Sequence, residues 1–229
     1  MILIVKININ DYNLSNLIQF LPFLEQETQL QISRFQAPTD KKRTLLGNYA
    51  AKYFIARYTQ QHIKDIHFTT NMYGKKIVQK HAISFNISHS GKWVMLALST
   101  NESIGIDVEK IGIINTEETS CFFHEIEQRY LKKLTKKEAQ YAFYRIWTAK
   151  ESFLKCIGSG LSQPLNTFIV PLQLSSRPQI IIDTSIYNST FQVYSFQIDS
   201  EYFCSICTND FQFPINIMTL PKDFSNLIR

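Results

Sequence analysis

The sequence predicts an α+β fold in two lobes that share one interface, and three observations carry that prediction. Each half holds one long helical stretch with an apolar face. Each half also holds short runs rich in β-branched and aromatic residues, which suit strands. The order strand, helices, strands occurs twice, with a junction near residue 100, although no internal sequence repeat accompanies it. The expected lobes are residues 1–100 and 101–229.

In the first half Met1–Ile9 reads as a strand. Leu14, Leu17, Ile18 and Leu21 form a helical stripe that Pro22 interrupts, because proline removes an N–H and clashes with the preceding turn. A helix is expected over Glu25–Phe35. A stronger one follows to about Tyr58, capped by Thr39 or Asp40, with Leu45, Leu46, Tyr49, Ala50, Tyr53 and Phe54 on one side. Ile66–Thr69 and Lys76–Gln79 flank a turn at Asn71–Gly74. Ser84–Ser88 and Trp93–Ser99 form an expected antiparallel pair around Ser90-Gly91.

The second half opens with a strand, Ile104–Glu109, then a helical region over Glu117–Leu134. Thr135-Lys-Lys-Glu138 has the form of a capping box, and Gly158 can end the helix it opens. Strands are expected at Phe168–Leu172, Gln179–Asp183, Phe191–Ile198, Tyr202–Cys207 and Ile215–Leu220.

Composition narrows the class. Of 229 residues, 45% are hydrophobic and 19% charged, which excludes a disordered chain. The formal net charge of +5 leans towards anionic partners but is too small to name one. No apolar run approaches the ~20 residues of a membrane helix, and the first residues lack a signal-peptide pattern, so a cytoplasmic protein is expected. Cys204-x-x-Cys207 is a lone pair without the further ligands of a zinc site, and reads as reduced structural thiols.

Three segments carry candidate chemistry. In Gly105-Ile-Asp-Val-Glu109, strand alternation puts Asp107 and Glu109 on one side, roughly 6–7 Å apart. Such a pair repels itself unless it is solvated or bridged by a cation; an ordinary strand with a wet acidic face is the plainer reading. Gly105 beside the acids hints at close approach by a ligand. In Trp147-Thr-Ala-Lys-Glu-Ser-Phe-Leu-Lys155, Glu151 and Lys155 are helical neighbours, as a surface ion pair would be. Added to Asp107 and Glu109, Glu151 completes a three-carboxylate set suited to Mg²⁺, with Lys155 facing the same phosphate. In Phe85–Gly91, His89 stands at a strand end among Ser88, Ser90 and Gly91, a turn rich in donors for an anion.

Taken together these stretches resemble the 4′-phosphopantetheinyl transferases of the surfactin-synthetase-activating type. Gly105–Glu109, Trp147–Lys155, Phe85–Gly91, Arg43–Gly47, Tyr73–Lys75 and Gly158–Leu161 fall in the family's order across more than half the chain. The resemblance implies two pseudo-twofold-related lobes, each a small antiparallel sheet packed with a long helix, with coenzyme A between them in a monomer. It implies transfer of the 4′-phosphopantetheine arm to a serine of an acidic apo carrier protein, releasing adenosine 3′,5′-bisphosphate. It assigns Asp107, Glu109 and Glu151 to Mg²⁺, and Lys155, His89 and the Ser88 region to phosphate oxygens. Arg43, Thr44 and Lys75 fall near the nucleotide and its 3′-phosphate. The serine proton has Glu151, a metal-bound water or Glu127 as candidate acceptors. Ile111, Ile113 and Ile114, beside Lys110, are candidate contacts for the carrier.

Two departures from the family pattern stand out. The stretch Thr28-Gln-Leu-Gln31 is uncharged where family members often carry lysines for the 3′-phosphate, and position 67 is His where arginine is common. Nucleotide grip is then expected to rest on Arg34, Lys41, Lys42 and Arg43. The rival readings are a Mg²⁺-dependent nuclease and a non-catalytic carrier binder. The first lacks a dense basic track for nucleic acid, and the second sits poorly with three intact acids and the lysine.

Overall fold

In the computed structural model of the chain, residues 2–100, 103–181, 190–209 and 215–221 are described. The strands are β1 (Ile2–Asn8), β2 (Phe68–Thr70), β3 (Lys76–Val78), β4 (Ser84–Ser90), β5 (Trp93–Ser99), β6 (Ile104–Lys110), β7 (Gln179–Ile180), β8 (Gln192–Asp199), β9 (Tyr202–Thr208) and β10 (Ile215–Thr219). The helices are α1 (Leu14–Leu17), α2 (Gln26–Arg34), α3 (Pro38–Thr59), α4 (Thr116–Thr119), α5 (Glu125–Lys132) and α6 (Lys136–Ile157).

Two four-stranded sheets result, in the orders β10-β1-β5-β4 and β6-β9-β8-β7, with β2 and β3 as a separate hairpin. Each four-stranded sheet packs against one 22-residue helix, α3 in the first lobe and α6 in the second. The mixed α+β class is therefore as expected. The antiparallel expectation holds for the second sheet but not wholly for the first, where β10 pairs parallel with β1, Ile2 opposite Ile215 and Lys6 opposite Thr219. That strand belongs by sequence to the second half yet completes the first sheet, because a bare β1 edge would leave its N–H and C=O groups unpaired.

Three apolar clusters hold the molecule. Leu45, Leu46, Tyr49 and Ala50 of α3 bury against Val5, Ile7, Val94 and Leu96. Phe143, Ile146, Phe153 and Leu154 of α6 bury with Phe168, Val170 and Val193. Between the lobes lie Ile2, Ile4, Met95 and Ala97 of the first sheet with Ile104, Ile106, Val108, Cys204 and Ile206 of the second. At about 1.5–3 kcal/mol for each fully buried aliphatic side chain, this seam holds the lobes together, though it is smaller than either lobe's own core. The cysteine pair serves packing: the thiols are free, and Cys204 lies in the seam while Cys207 lies in the second core.

Local signals placed most ends. The Thr135 side chain accepts from Glu138 N–H and the Glu138 carboxylate accepts from Thr135 N–H, so the capping box forms as predicted. Gly158, at φ 72°, closes α6 in the left-handed conformation. Helix α3 starts instead on Pro38 at its first turn, without a side-chain cap, and Asp40 pairs with Arg43 at 2.6 Å.

Phe168–Leu172 is not a strand. Apart from a single bridge at Ile169, its backbone is met by side chains: Lys150 Nζ donates to the Phe168 carbonyl at 2.7 Å, and Val170 N–H donates to Glu127 Oε1 at 2.9 Å. The expected strand at Gln179–Asp183 is short, and its end falls outside the described residues.

Candidate active site

Strand β4 alternates. Phe85 and Ile87 face the first core, while Asn86, Ser88 and Ser90 face β6, the edge of the other sheet. An edge strand needs partners for its N–H groups. Here side chains supply them: Ile106 N–H donates to Asn86 Oδ1 at 2.9 Å, Val108 N–H to Ser88 Oγ at 3.3 Å, and Lys110 N–H to Ser90 Oγ at 3.0 Å. The same hydroxyls donate to the acids, Ser88 to Asp107 Oδ1 and Ser90 to Glu109 Oε2, both at 2.9 Å. A polar zipper thus joins the lobes and aims both carboxylates.

Gly105 has a different partner from the ligand its position suggested. A Cβ there would lie 2.0 Å from the Ser152 carbonyl oxygen and 2.3 Å from the Cys156 nitrogen, so α6 rides directly on the strand. That contact sets Trp147, Glu151 and Lys155, four residues apart on one helix face, over Asp107 and Glu109. Together with Ile87, Ser88 and His89 they line a cleft of about 290 Å³. Lys155 Nζ lies 2.5 Å from Asp107 Oδ1 and donates to Ser88 Oγ at 3.2 Å.

Burial raises the pKa of Asp107 against the pull of Lys155, since the carboxyl is 2% exposed. Burial raises Glu109 and Glu151 too, and the charge of Asp107 adds to both. Three mutually repelling carboxyls, with Asp107 Oδ2 buried and unpartnered, are the hard-oxygen donor chemistry that a divalent cation takes. They are not drawn into a closed cage: among the described residues no three His, Cys, Asp or Glu side chains are grouped to hold a metal ion.

A second cavity of about 240 Å³ adjoins the first, sharing Ile87 and His89. Its charged lining is wholly basic, from Arg43, Lys75 and Lys76, alongside Thr44, Asn48 and Gln31. His89 stands between the cavities. Loss of water in its crevice lowers its pKa, and Arg43 and Lys155 push the same way, which favours the neutral imidazole. Arg43 is anchored, with Nε and Nη2 both donating to the Gly91 carbonyl, at 2.8 and 2.6 Å.

Two expected site residues have other engagements. Lys75 borders the second cavity, but its ammonium donates across the seam to the carbonyls of Ile104 at 3.1 Å and Cys156 at 2.8 Å. With Asn71 Nδ2 donating to the Gly158 carbonyl at 3.0 Å, it clasps the β2–β3 hairpin onto the end of α6. Glu127 does not reach the cleft. It is 0% exposed, pairs with Lys150 Nζ at 2.8 Å and accepts from the backbone N–H groups of His124 and Val170. Burial raises its pKa and pushes Lys150 down to about 8, so the pair is a structural element of the second core.

Sequence reasoning missed Asn86 and Ser90 as lobe joiners, though their period-two spacing with Ser88 was a usable signal. It also missed Lys76, which only the hairpin geometry brings to the cavity.

Comparison with known proteins agrees with this geometry. Residues 13–102 match the family model described as "4′-phosphopantetheinyl transferase, N-terminal", and residues 103–207 match "4′-phosphopantetheinyl transferase superfamily". The chain is 36% identical to the 4′-phosphopantetheinyl transferase Sfp of Bacillus subtilis (strain 168), covering 87% of this chain and 88% of that one. It is 32% identical to the transferase gsp of Aneurinibacillus migulanus, over 81% and 76%. A more distant likeness, 27% over 66% of this chain and 54% of the other, is to the L-aminoadipate-semialdehyde dehydrogenase-phosphopantetheinyl transferase of Mus musculus. The junction between the two family models falls at the seam that the zipper closes, and with a 36% identical relative covered almost end to end, the chain belongs to the 4′-phosphopantetheinyl transferase family.

Proposed function

We propose that the chain transfers the 4′-phosphopantetheine arm of coenzyme A to a serine of an apo carrier protein, and that the two adjoining cavities divide the work. The observation that carries this is the pairing of a basic cavity with a three-carboxylate cleft through His89 and Ile87. Coenzyme A, with a 3′-phosphate on its nucleotide and a pyrophosphate joining it to pantetheine, needs both environments side by side. The basic cavity takes the nucleotide end; the pyrophosphate lies over the carboxylate cleft.

In this reading Asp107, Glu109 and Glu151 hold Mg²⁺. When bound, the ion supplies Lewis-acid neutralisation of pyrophosphate oxygens. Lys155 leaves Asp107 for a phosphate oxygen, and His89 donates to another. The serine oxygen bonds to the phosphorus that carries pantetheine. The bond from that phosphorus to the bridging oxygen breaks, and adenosine 3′,5′-bisphosphate departs. The serine proton passes to a carboxylate of the cleft; Glu151, which lines it, is the acceptor proposed here, in place of the buried Glu127. Catalysis is then positioning and charge neutralisation, as phosphoryl transfer requires.

The carrier is received on the rim of the second lobe. Ile113 is 98% exposed, Phe122 and Ile126 further along the same segment are exposed too, and these apolar side chains are the contacts proposed for the carrier. Because one chain supplies both sides of the cleft, the working unit is a monomer. With four unbridged cysteines, and no helix among the described residues long and apolar enough to cross a membrane, the cytoplasm is its proposed place of work.

Mass spectrometry of an apo carrier with coenzyme A and Mg²⁺ tests the reading. A gain of one phosphopantetheine is expected, and its loss in Asp107→Ala and Glu151→Ala with the fold intact. Binding of the carrier without any mass change would overturn transfer. Transfer surviving either substitution would overturn the three-acid site. Lys155→Ala should lower turnover more than coenzyme A affinity, since its charge matters most as the leaving group departs.

A further inference from the structure

The basic cavity holds a cation that nothing above has used. Lys76 lies on β3, half-buried, and its ammonium donates to Thr28 Oγ1 at 3.1 Å and to Asn48 Oδ1 at 2.5 Å. Both partners are neutral, and no carboxylate among the described residues forms a salt bridge with it. Glu25, at the N-terminal cap of α2, is taken by Lys52 at 2.7 Å. Glu25 and Glu27 still act on Lys76 through space, but burial outweighs them and its pKa is lowered. A lysine ammonium has three donors, and two are spent here. The third is left for the cavity that Lys76 lines with Arg43 and His89.

A half-buried ammonium held by two neutral partners, with no salt bridge among the described residues, gains from an anion that completes its third bond. Its neighbours in the cavity are ill placed to serve as that anion's main cation. Lys75 directs its ammonium to two carbonyls across the seam, and Arg43 is held by Gly91 and Asp40, whereas Asn48, a partner of Lys76, itself lines the cavity. Gln31, which α2 brings to the cavity, and Thr28 on the same helix bring no charge. Thr28 instead accepts from Lys76, so the ammonium stands at the position that α2 leaves uncharged.

We infer that Lys76, steadied by Thr28 and Asn48, is the residue that recognises the 3′-phosphate of the nucleotide in this chain. This rests on the coenzyme A reading and makes it more specific: selectivity for a 3′-phosphorylated nucleotide comes from the β2–β3 hairpin rather than from α2. Asn48 holds one N–H and Thr28 another, so the ammonium is oriented before the ligand arrives and loses little freedom on binding.

Calorimetric binding of adenosine 3′,5′-bisphosphate and of adenosine 5′-monophosphate to the intact chain isolates that phosphate, because the two probes differ in nothing else. The parent protein is expected to prefer the bisphosphate. Lys76→Met should remove about 10- to 100-fold of that preference, the range of one hydrogen bond to a charged group, and leave monophosphate binding unchanged. Lys76→Gln should behave alike, with monophosphate binding in each variant reporting an intact cavity. Retention of the preference in both variants overturns the assignment. So does equal weakening of both probes, which would mark Lys76 as merely structural. In either case the coenzyme A reading stands. If the parent binds neither probe, that reading fails and the role of Lys76 falls with it.

Discussion

Replacing Gly105 by alanine is the most direct test of how the site is assembled. The added Cβ would meet the Ser152 carbonyl oxygen at 2.0 Å and the Cys156 nitrogen at 2.3 Å. Ordinary contact begins near 3.4 Å, so α6 must retreat by roughly 1.4 Å. No side-chain rotation can relieve the clash, because both atoms are helix backbone. Overpacking of this kind costs typically ~1–3 kcal/mol, and a rigid backbone contact belongs at the upper end. For a chain of this length ~3 kcal/mol lowers Tm by roughly 6–12 °C. The retreat also carries Glu151 and Lys155 away from Asp107 and Glu109, and a misplacement of about 1 Å at a reacting centre costs on the order of 100-fold in rate. Differential scanning fluorimetry and the mass shift of an apo carrier measure the two effects on one sample. Gly112→Ala is the control, since its Cβ meets only the movable Tyr144 hydroxyl at 3.3 Å. A Gly105→Ala protein with the parent's melting temperature and turnover would refute the claim that helix-on-strand contact sets the site.

Two further outcomes follow from the buried charges. Lys150→Met leaves the Glu127 carboxylate without its cation in a fully buried place, so a loss of about 3–5 kcal/mol is expected in chemical denaturation. The folded fraction should keep its turnover; a collapse of turnover with unchanged stability would instead make the Glu127–Lys150 pair part of the chemistry. The pKa values of Asp107, Glu109 and Glu151 are raised on folding, so the native state holds protons that the unfolded state has lost. Their contribution to stability is present at low pH and fades as pH rises through their folded values. Melting temperature without added metal should therefore climb, at these groups, as pH falls from neutral towards 5. Added Mg²⁺ should raise it more at pH 7.5 than at pH 5.5, where protons compete; equal shifts at both pH values would count against the carboxylates as its ligands.

Much of this molecule was legible before folding because its signals are local. The Thr135 capping box, the Gly158 terminus and the alternation in Ile104–Glu109 each act within a few residues, where propensity and hydrogen bonding decide the outcome; at Pro22 the expected break is instead a 3-10 helix over Ile18–Phe23 that runs through the proline. The acids, Lys155 and His89 each had a plainer reading within its own motif, and it was the order of the motifs together, as a family resemblance, that pointed to a site. What failed was long-range. Phe168–Leu172 has the composition of a strand, yet, the bridge at Ile169 apart, Lys150 and Glu127 meet its backbone from other elements. Glu127 stood in a plausible place for a base until packing buried it. Lys75 matched its motif, but the hairpin geometry spends its ammonium on the end of α6.

By itself, then, the sequence determined the α+β class, the two long helices, the family to which the motifs point, and the residue types of the site. Only the tertiary structure decided which of them meet. It brought two sheet edges together through Asn86, Ser88 and Ser90, seated α6 on Gly105, crossed β10 over to the first sheet, and turned Lys76 into a cavity that its place in the chain does not reveal. The physical reason is the same throughout. A residue's own bonds are set by neighbours in sequence, whereas burial and the choice of partner are set by surfaces that become neighbours only when the two lobes close.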